Sequence, residues 1–92
     1  MKKVFTFSCL VFFIFTGILA AAESPEELYA KANSSYENMD YGRSASLYEE
    51  LLRTDNVSPE VFYNLGNSYF KLKKIGRAIP NYERAIRLDP RD

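Results

Sequence analysis

Residues 58–90 read SPEVFYNLGNSYFKLKKIGRAIPNYERAIRLDP, and residues 24–56 read SPEELYAKANSSYENMDYGRSASLYEELLRTDN. At an offset of 34, Ser24, Pro25 and Glu26 fall on Ser58, Pro59 and Glu60, and Tyr29 falls on Tyr63. Asn33 and Ser34 meet Asn67 and Ser68, and Gly42 and Arg43 meet Gly76 and Arg77. Tyr48, Glu49, Arg53 and Asp55 then meet Tyr82, Glu83, Arg87 and Asp89 without a gap. A fixed period of this size marks an array of helix pairs, each too small to bury its apolar face alone.

Caps and periodicity place the helices. Ser24 and Ser58 are N-cap residues followed by Pro at the first helical position, where a missing N–H costs nothing. Phe62, Leu65, Tyr69 and Leu72 recur at spacings of three and four, which predicts a helix over 60–72. Ile75, Ala78, Ile79, Tyr82, Ala85 and Ile86 predict another from about 74 to 88, and Pro90 bars its continuation. The first unit repeats this with Leu28, Ala32 and Tyr36, then Tyr41, Ala45, Tyr48, Leu51 and Leu52. The expected fold is all-α: two helix-turn-helix units, the first over about 25–58 and the second over about 59–92. Pro80 falls inside the last helix, where it removes a bond to the Gly76 carbonyl at a cost of about 3 kcal/mol in a regular helix interior. A late helix start or a kink at Gly76 would absorb part of that cost, so Pro80 reads as shaping the helix.

The second unit resembles the tetratricopeptide repeat at Phe62, Leu65, Gly66, Tyr69, Ala78, Tyr82, Ala85 and Pro90. Small residues at Gly66 and Ala78 let paired helices approach, while Tyr69 and Tyr82 fill the gaps beside them. The first unit departs from that pattern, with Lys31 and Ala32 for the Leu-Gly pair, Ser35 for the Tyr, Ser44 for the Ala and Asn56 for the Pro. It reads as a divergent terminal repeat of an α-solenoid fragment. The string Tyr29 to Tyr36, followed by Phe62 to Tyr69, resembles more closely the BatE-like tetratricopeptide-repeat components of the Bacteroides-aerotolerance group. That resemblance covers the N-terminal portion of such proteins. It implies a role in tolerance of oxidative stress within a membrane-associated complex, and further membrane-spanning and SH3-like parts.

The overall averages, 47% hydrophobic residues and a formal charge of zero, combine unlike segments. Residues 1–22 hold five of the seven Phe, begin Met1-Lys2-Lys3, continue with the uncharged apolar run Val4 to Leu19 and end in Ala20, Ala21 and Ala22. This is the layout of a secretory signal peptide, with cleavage expected after Ala22. The competing reading is an uncleaved N-terminal membrane anchor, since Val4 to Ala22 is close to the about 20 residues a spanning helix needs. Either way the positive start stays inside and the rest is exported, to the periplasm or cell envelope. The lone Cys9 lies in the apolar run, so residues 23–92 carry no thiol and no His. That excludes a disulfide scaffold, a Cys or His zinc site and a Ser-His or Cys-His pair.

Function then rests on surfaces. In tetratricopeptide arrays the inner face of each first helix lines a groove for a partner peptide. Carried over by the resemblance, that face holds Tyr29, Asn33, Tyr36 and Glu37, then Tyr63, Asn67, Phe70 and Lys71, with Asn64 beside them. An Asn amide both donates and accepts, and Tyr adds a flat apolar surface with a polar tip. The candidate groove is therefore Tyr29, Asn33, Tyr63, Asn64, Asn67 and Lys71, to hold a protein or peptide segment. The alternative is that Asn33 and Asn67 only bond neighbouring helices and the aromatics are core. A carboxylate-gripping variant would want Lys where Tyr29 stands, so no such clamp is expected. Lys71, Lys73, Lys74 and Arg77 form the one basic cluster, readable as a site for an acidic partner or anionic membrane, or as a solvated turn.

Neither a Gly-rich phosphate loop nor metal-ligand spacing is present in the sequence, and adjacent pairs such as Glu49 and Glu50 point to different parts of a helix surface. The expectation is a non-enzymatic interaction module without cofactor, and the near-balanced charge disfavours nucleic acid. A structural, self-associating spacer is the alternative. Seventy residues without disulfides rarely store more than about 3–5 kcal/mol, and helical arrays usually need a third repeat or a cap. The side of the last helix carrying Ile79, Ala85 and Ile86 is expected to lack cover. This predicts either further chain beyond Asp92 or self-association through that face.

Overall fold

The computed structural model describes residues 23–90, so the 1–22 segment read as an export signal lies outside the described residues. Four helices follow one another: α1 (Pro25–Glu37), α2 (Tyr41–Arg53), α3 (Pro59–Lys71) and α4 (Ile75–Leu88). Among the described residues there is no strand. The bounds of α3 differ from the expected 60–72 by one residue at each end, and those of α4 from 74–88 by one residue at its start.

Each helix starts and stops for an identifiable reason. The Glu27 N–H donates to Ser24 Oγ at 3.2 Å, and the Val61 N–H donates to Ser58 Oγ at 3.1 Å. Asp40 caps α2 by accepting from the Arg43 N–H at 3.4 Å, while Lys74 in the corresponding place before α4 supplies no side-chain acceptor. The first three helices end in paired bonds of the Schellman type. The Asp40 N–H donates to Ser35 O, Asn56 N–H to Leu51 O and Lys74 N–H to Tyr69 O, at 2.8, 3.0 and 2.9 Å. The pivots are Met39, Asp55 and Lys73, all at φ near 62° to 63° without being glycine. All three reverse the chain in the same way and pack the next helix back on its predecessor.

Helix α4 passes through Pro80 from a start at Ile75, so the expected late start does not occur. The carbonyl that Pro80 cannot serve belongs to Gly76, an exposed residue within reach of water.

α1 packs on α2, α2 on α3 and α3 on α4. One core runs through both units, built from Leu28, Ala32, Ala45, Tyr48, Leu51, Val61, Leu65, Tyr69 and Ala78. The hairpins approach closely where the expected small residues stand. A Cβ on Gly66 would lie 2.8 Å from the Tyr82 ring, a distance no side-chain carbon tolerates. Polar atoms inside are paired. Ser44 and Ser68, both fully buried, share a hydroxyl bond of 2.7 Å between α2 and α3. Asn81 is also buried, and its Nδ2 donates to the Arg77 carbonyl at 2.8 Å.

Two core expectations change. Val61, absent from the predicted stripe, is buried with Leu65 and Ser68, while Phe62 is only half-buried beneath the Arg84 guanidinium at 6.0 Å. The face of α3 that meets α2 is thus one residue out of phase with the aromatic pattern. On α4, Ile75, Ile79 and Ile86 are 44%, 50% and 54% exposed, but Ala85 is buried rather than uncovered.

Candidate functional site

The repeat places Tyr29 and Tyr63 at the same turn of α1 and α3, and each leans on a tyrosine of the following helix. Tyr29 meets Tyr48 edge-on with ring centres 6.2 Å apart, and Tyr63 meets Tyr82 at 5.6 Å. The second tyrosine of each pair is then fixed by an amide. Tyr48 Oη donates to Asn33 Oδ1, and Tyr82 Oη donates to Asn67 Oδ1 at 2.6 Å. Both units therefore contain the same Tyr-Tyr-Asn lock, which joins the two helices of each hairpin.

Two further bonds join the units. Asn64 Nδ2 on α3 donates to Tyr29 Oη at 3.3 Å, and Tyr69 Oη donates to Glu49 Oε2 on α2 at 3.1 Å. Arg77 sits over the Tyr69 ring at 5.7 Å. Burial pushes the Tyr48 phenol up to about 12. The Tyr69 phenol is raised by burial and by its bond to Glu49, and that of Tyr82 by burial and its tyrosine neighbours. These phenols are neutral donors across the ordinary pH range.

The inter-unit seam opens into a cleft of about 700 Å³. Tyr29, Tyr63 and Tyr82 form its aromatic wall, with Asn64 between them. Ala85 and Ile86 supply an apolar floor, and Pro59, Glu60 and Asp89 stand at its edge. Flat rings with polar tips, one amide and edge carboxylates suit a protein segment carrying apolar side chains and backbone polar groups.

Of the sequence-derived groove residues, Tyr29, Tyr63 and Asn64 meet at this cleft. Asn33, Asn67 and Lys71 are not among its lining: the two amides hold Tyr48 and Tyr82, and Lys71 is exposed at the end of α3. Reading only the first helix of each unit missed Tyr82, Ala85 and Ile86. The signal that finds them is the antiparallel hairpin itself, which sets the last turns of α4 beside the first turns of α3. Among the described residues no group of three or more His, Cys, Asp or Glu is placed to hold a metal ion. Nor is any described helix long and apolar enough to cross a membrane.

Residues 59–92 match the family model described as tetratricopeptide repeat, the hairpin of α3 and α4. Repeats of this kind commonly mediate protein–protein interaction. No curated protein matches the chain.

Proposed function

We propose that this chain, an all-α helical repeat fragment carrying a tetratricopeptide repeat, is an exported, non-enzymatic adaptor that holds a segment of another protein. The observation that carries the reading is the cleft where Tyr29, Tyr63, Tyr82 and Asn64 converge. Tyr29 and Tyr82 are held by hydrogen bonds made inside the fold and Tyr63 leans on the Tyr82 ring, so the surface is largely formed before a partner arrives. Preorganisation of that kind lowers the ordering cost of binding. Export is supported by the signal-like sequence of residues 1–22, and a periplasmic or envelope setting follows from it. The resemblance of the Tyr29–Tyr36 and Phe62–Tyr69 strings to BatE-like components supports a membrane-associated stress-tolerance complex as the setting.

A photo-crosslinking residue in place of the half-exposed Tyr63 tests the reading in intact cells. The expected result is a discrete adduct with an envelope protein, and none from the same residue at the exposed Ser46 of α2. Equal labelling from both positions would remove the cleft from the account.

A further inference from the structure

The two helical hairpins reverse through the same turn, built from opposite chemistry. Each passes through a non-glycine residue in the left-handed region, Met39 at φ 62° and Lys73 at φ 63°, and each closes with the same backbone bond. At the offset of 34, Tyr36, Glu37, Met39, Asp40 and Tyr41 of the first turn become Phe70, Lys71, Lys73, Lys74 and Ile75 of the second. Two carboxylates are lost and three ammonium groups gained on an unchanged backbone. The sequence has no Asp or Glu between Glu60 and Glu83. The apolar residues change state as well. Tyr36 is half-buried, and its ring meets that of Tyr41 edge-on at 5.2 Å. Its counterpart Phe70 is 55% exposed, and Ile75, in place of Tyr41, is exposed beside the lysines.

We infer that this turn docks on an anionic phospholipid surface, with Phe70 and Ile75 entering the headgroup layer and Lys71, Lys73 and Lys74 pairing with lipid phosphates. Cations interleaved with exposed apolar groups match both parts of such a surface, and lysine stems lie along the apolar layer while their ammonium groups stay at the phosphates. The patch is the protruding end of a hairpin, which suits a flat, deformable layer better than a peptide needing walls. Lysine, a compact charge on a flexible stem, also suits mobile phosphates, whereas fixed carboxylates favour the planar fork of Arg. Glu37 and Asp40 repel an anionic surface, which confines contact to the second turn.

The placement leaves the cleft usable. Its edge residues Pro59 and Glu60 start α3 and Asp89 follows α4, at the end of the hairpin opposite Lys73. The 13 residues of α3 separate the two ends by about 20 Å. A chain docked by this turn holds the cleft away from the lipid, whatever the cleft binds. Each cation near an anionic bilayer strengthens attachment about fivefold, so three give about a hundredfold. That suffices to orient a chain already at a membrane.

The test compares the two turns within one chain. Gly42 and Gly76 occupy matching exposed positions, and a side chain at either meets nothing within 4 Å. In the 92-residue chain carrying C9S, an environment-sensitive fluorophore is attached at Gly76→Cys or at Gly42→Cys. The chain is added to phosphatidylcholine vesicles with or without about a third phosphatidylglycerol, containing a lipid-borne quencher. The apolar run Val4 to Leu19 takes every variant to the bilayer, so the readout is which turn touches lipid. Quenching is expected at position 76 and not at 42, only with phosphatidylglycerol, and it should fade as salt is raised. Each of K71Q, K73Q and K74Q should lower the docked-to-free ratio about fivefold. F70S should lower it without removing its salt dependence, with helicity by circular dichroism unchanged. Equal quenching at both positions, or quenching at 76 that persists in pure phosphatidylcholine, would overturn the inference. So would F70S without effect, which would leave the lysines as a site for a soluble acidic segment.

Discussion

Ser44 and Ser68 show how much a single polar contact between repeats can carry. Each hydroxyl also lies 3.0 Å from a carbonyl of its own helix, Tyr41 and Asn64 respectively, so the pair is satisfied inside a dry interface. Ser44→Ala and Ser68→Ala should each cost about 1 kcal/mol in urea unfolding. The double substitution should cost less than the sum, because neither hydroxyl is then left facing an absent partner. Additive losses would mean that the two do not act together. The tyrosines set a pH window. The folded chain holds the Tyr48 proton up to about 12, while an unfolded tyrosine loses it near 10. Between those values the unfolded state binds fewer protons, so stability is full below about 10 and falls as pH rises through the window. The raised phenols of Tyr69 and Tyr82 act in the same direction. The urea midpoint should therefore drop between about pH 9 and about pH 11.5, and a flat profile would contradict the burial of these groups.

At the scale of the element, the N-terminus of α4 is the weak joint. Asp40 caps α2, but the equivalent Lys74 places a positive charge at a helix start and offers no acceptor. Lys74→Asp should raise stability by about 1 kcal/mol in thermal or urea unfolding, and no change would show that the joint is held by packing alone. The four helices were legible because their signals agree: apolar spacing of three and four in each, with a serine cap and a proline at the first position of α1 and α3. What the periodicity did not reveal is which side of α3 is shared between neighbours. Val61 carries a weaker signal than Phe62, yet it is buried because the stripe through Leu65 and Ser68 faces α2. Asn81 escaped notice for a related reason, since a buried amide can satisfy itself on its own helix at the Arg77 carbonyl. The cleft was half legible. Tyr29, Tyr63 and Asn64 lie on first helices, where a groove is expected, but Tyr82, Ala85 and Ile86 reach it only through the closure of the hairpin.

At the scale of the molecule, the two units have different outer faces. The outer stripe of α1 is polar, Glu27, Lys31, Ser34 and Asn38, and needs no cover. The outer stripe of α4 is Ile75, Ile79 and Ile86, half-exposed beside a tyrosine-lined cleft. The first repeat thus turns a polar stripe outward, and the second an apolar one. The direct test is to select peptides on the 92-residue chain from a random library and to map the tightest one by backbone amide shifts. The account predicts that Tyr29, Tyr63, Asn64, Tyr82 and Ala85 move together on binding. Shifts centred instead on Ser46, Glu50 and Arg53, on α2 away from the cleft, would contradict it.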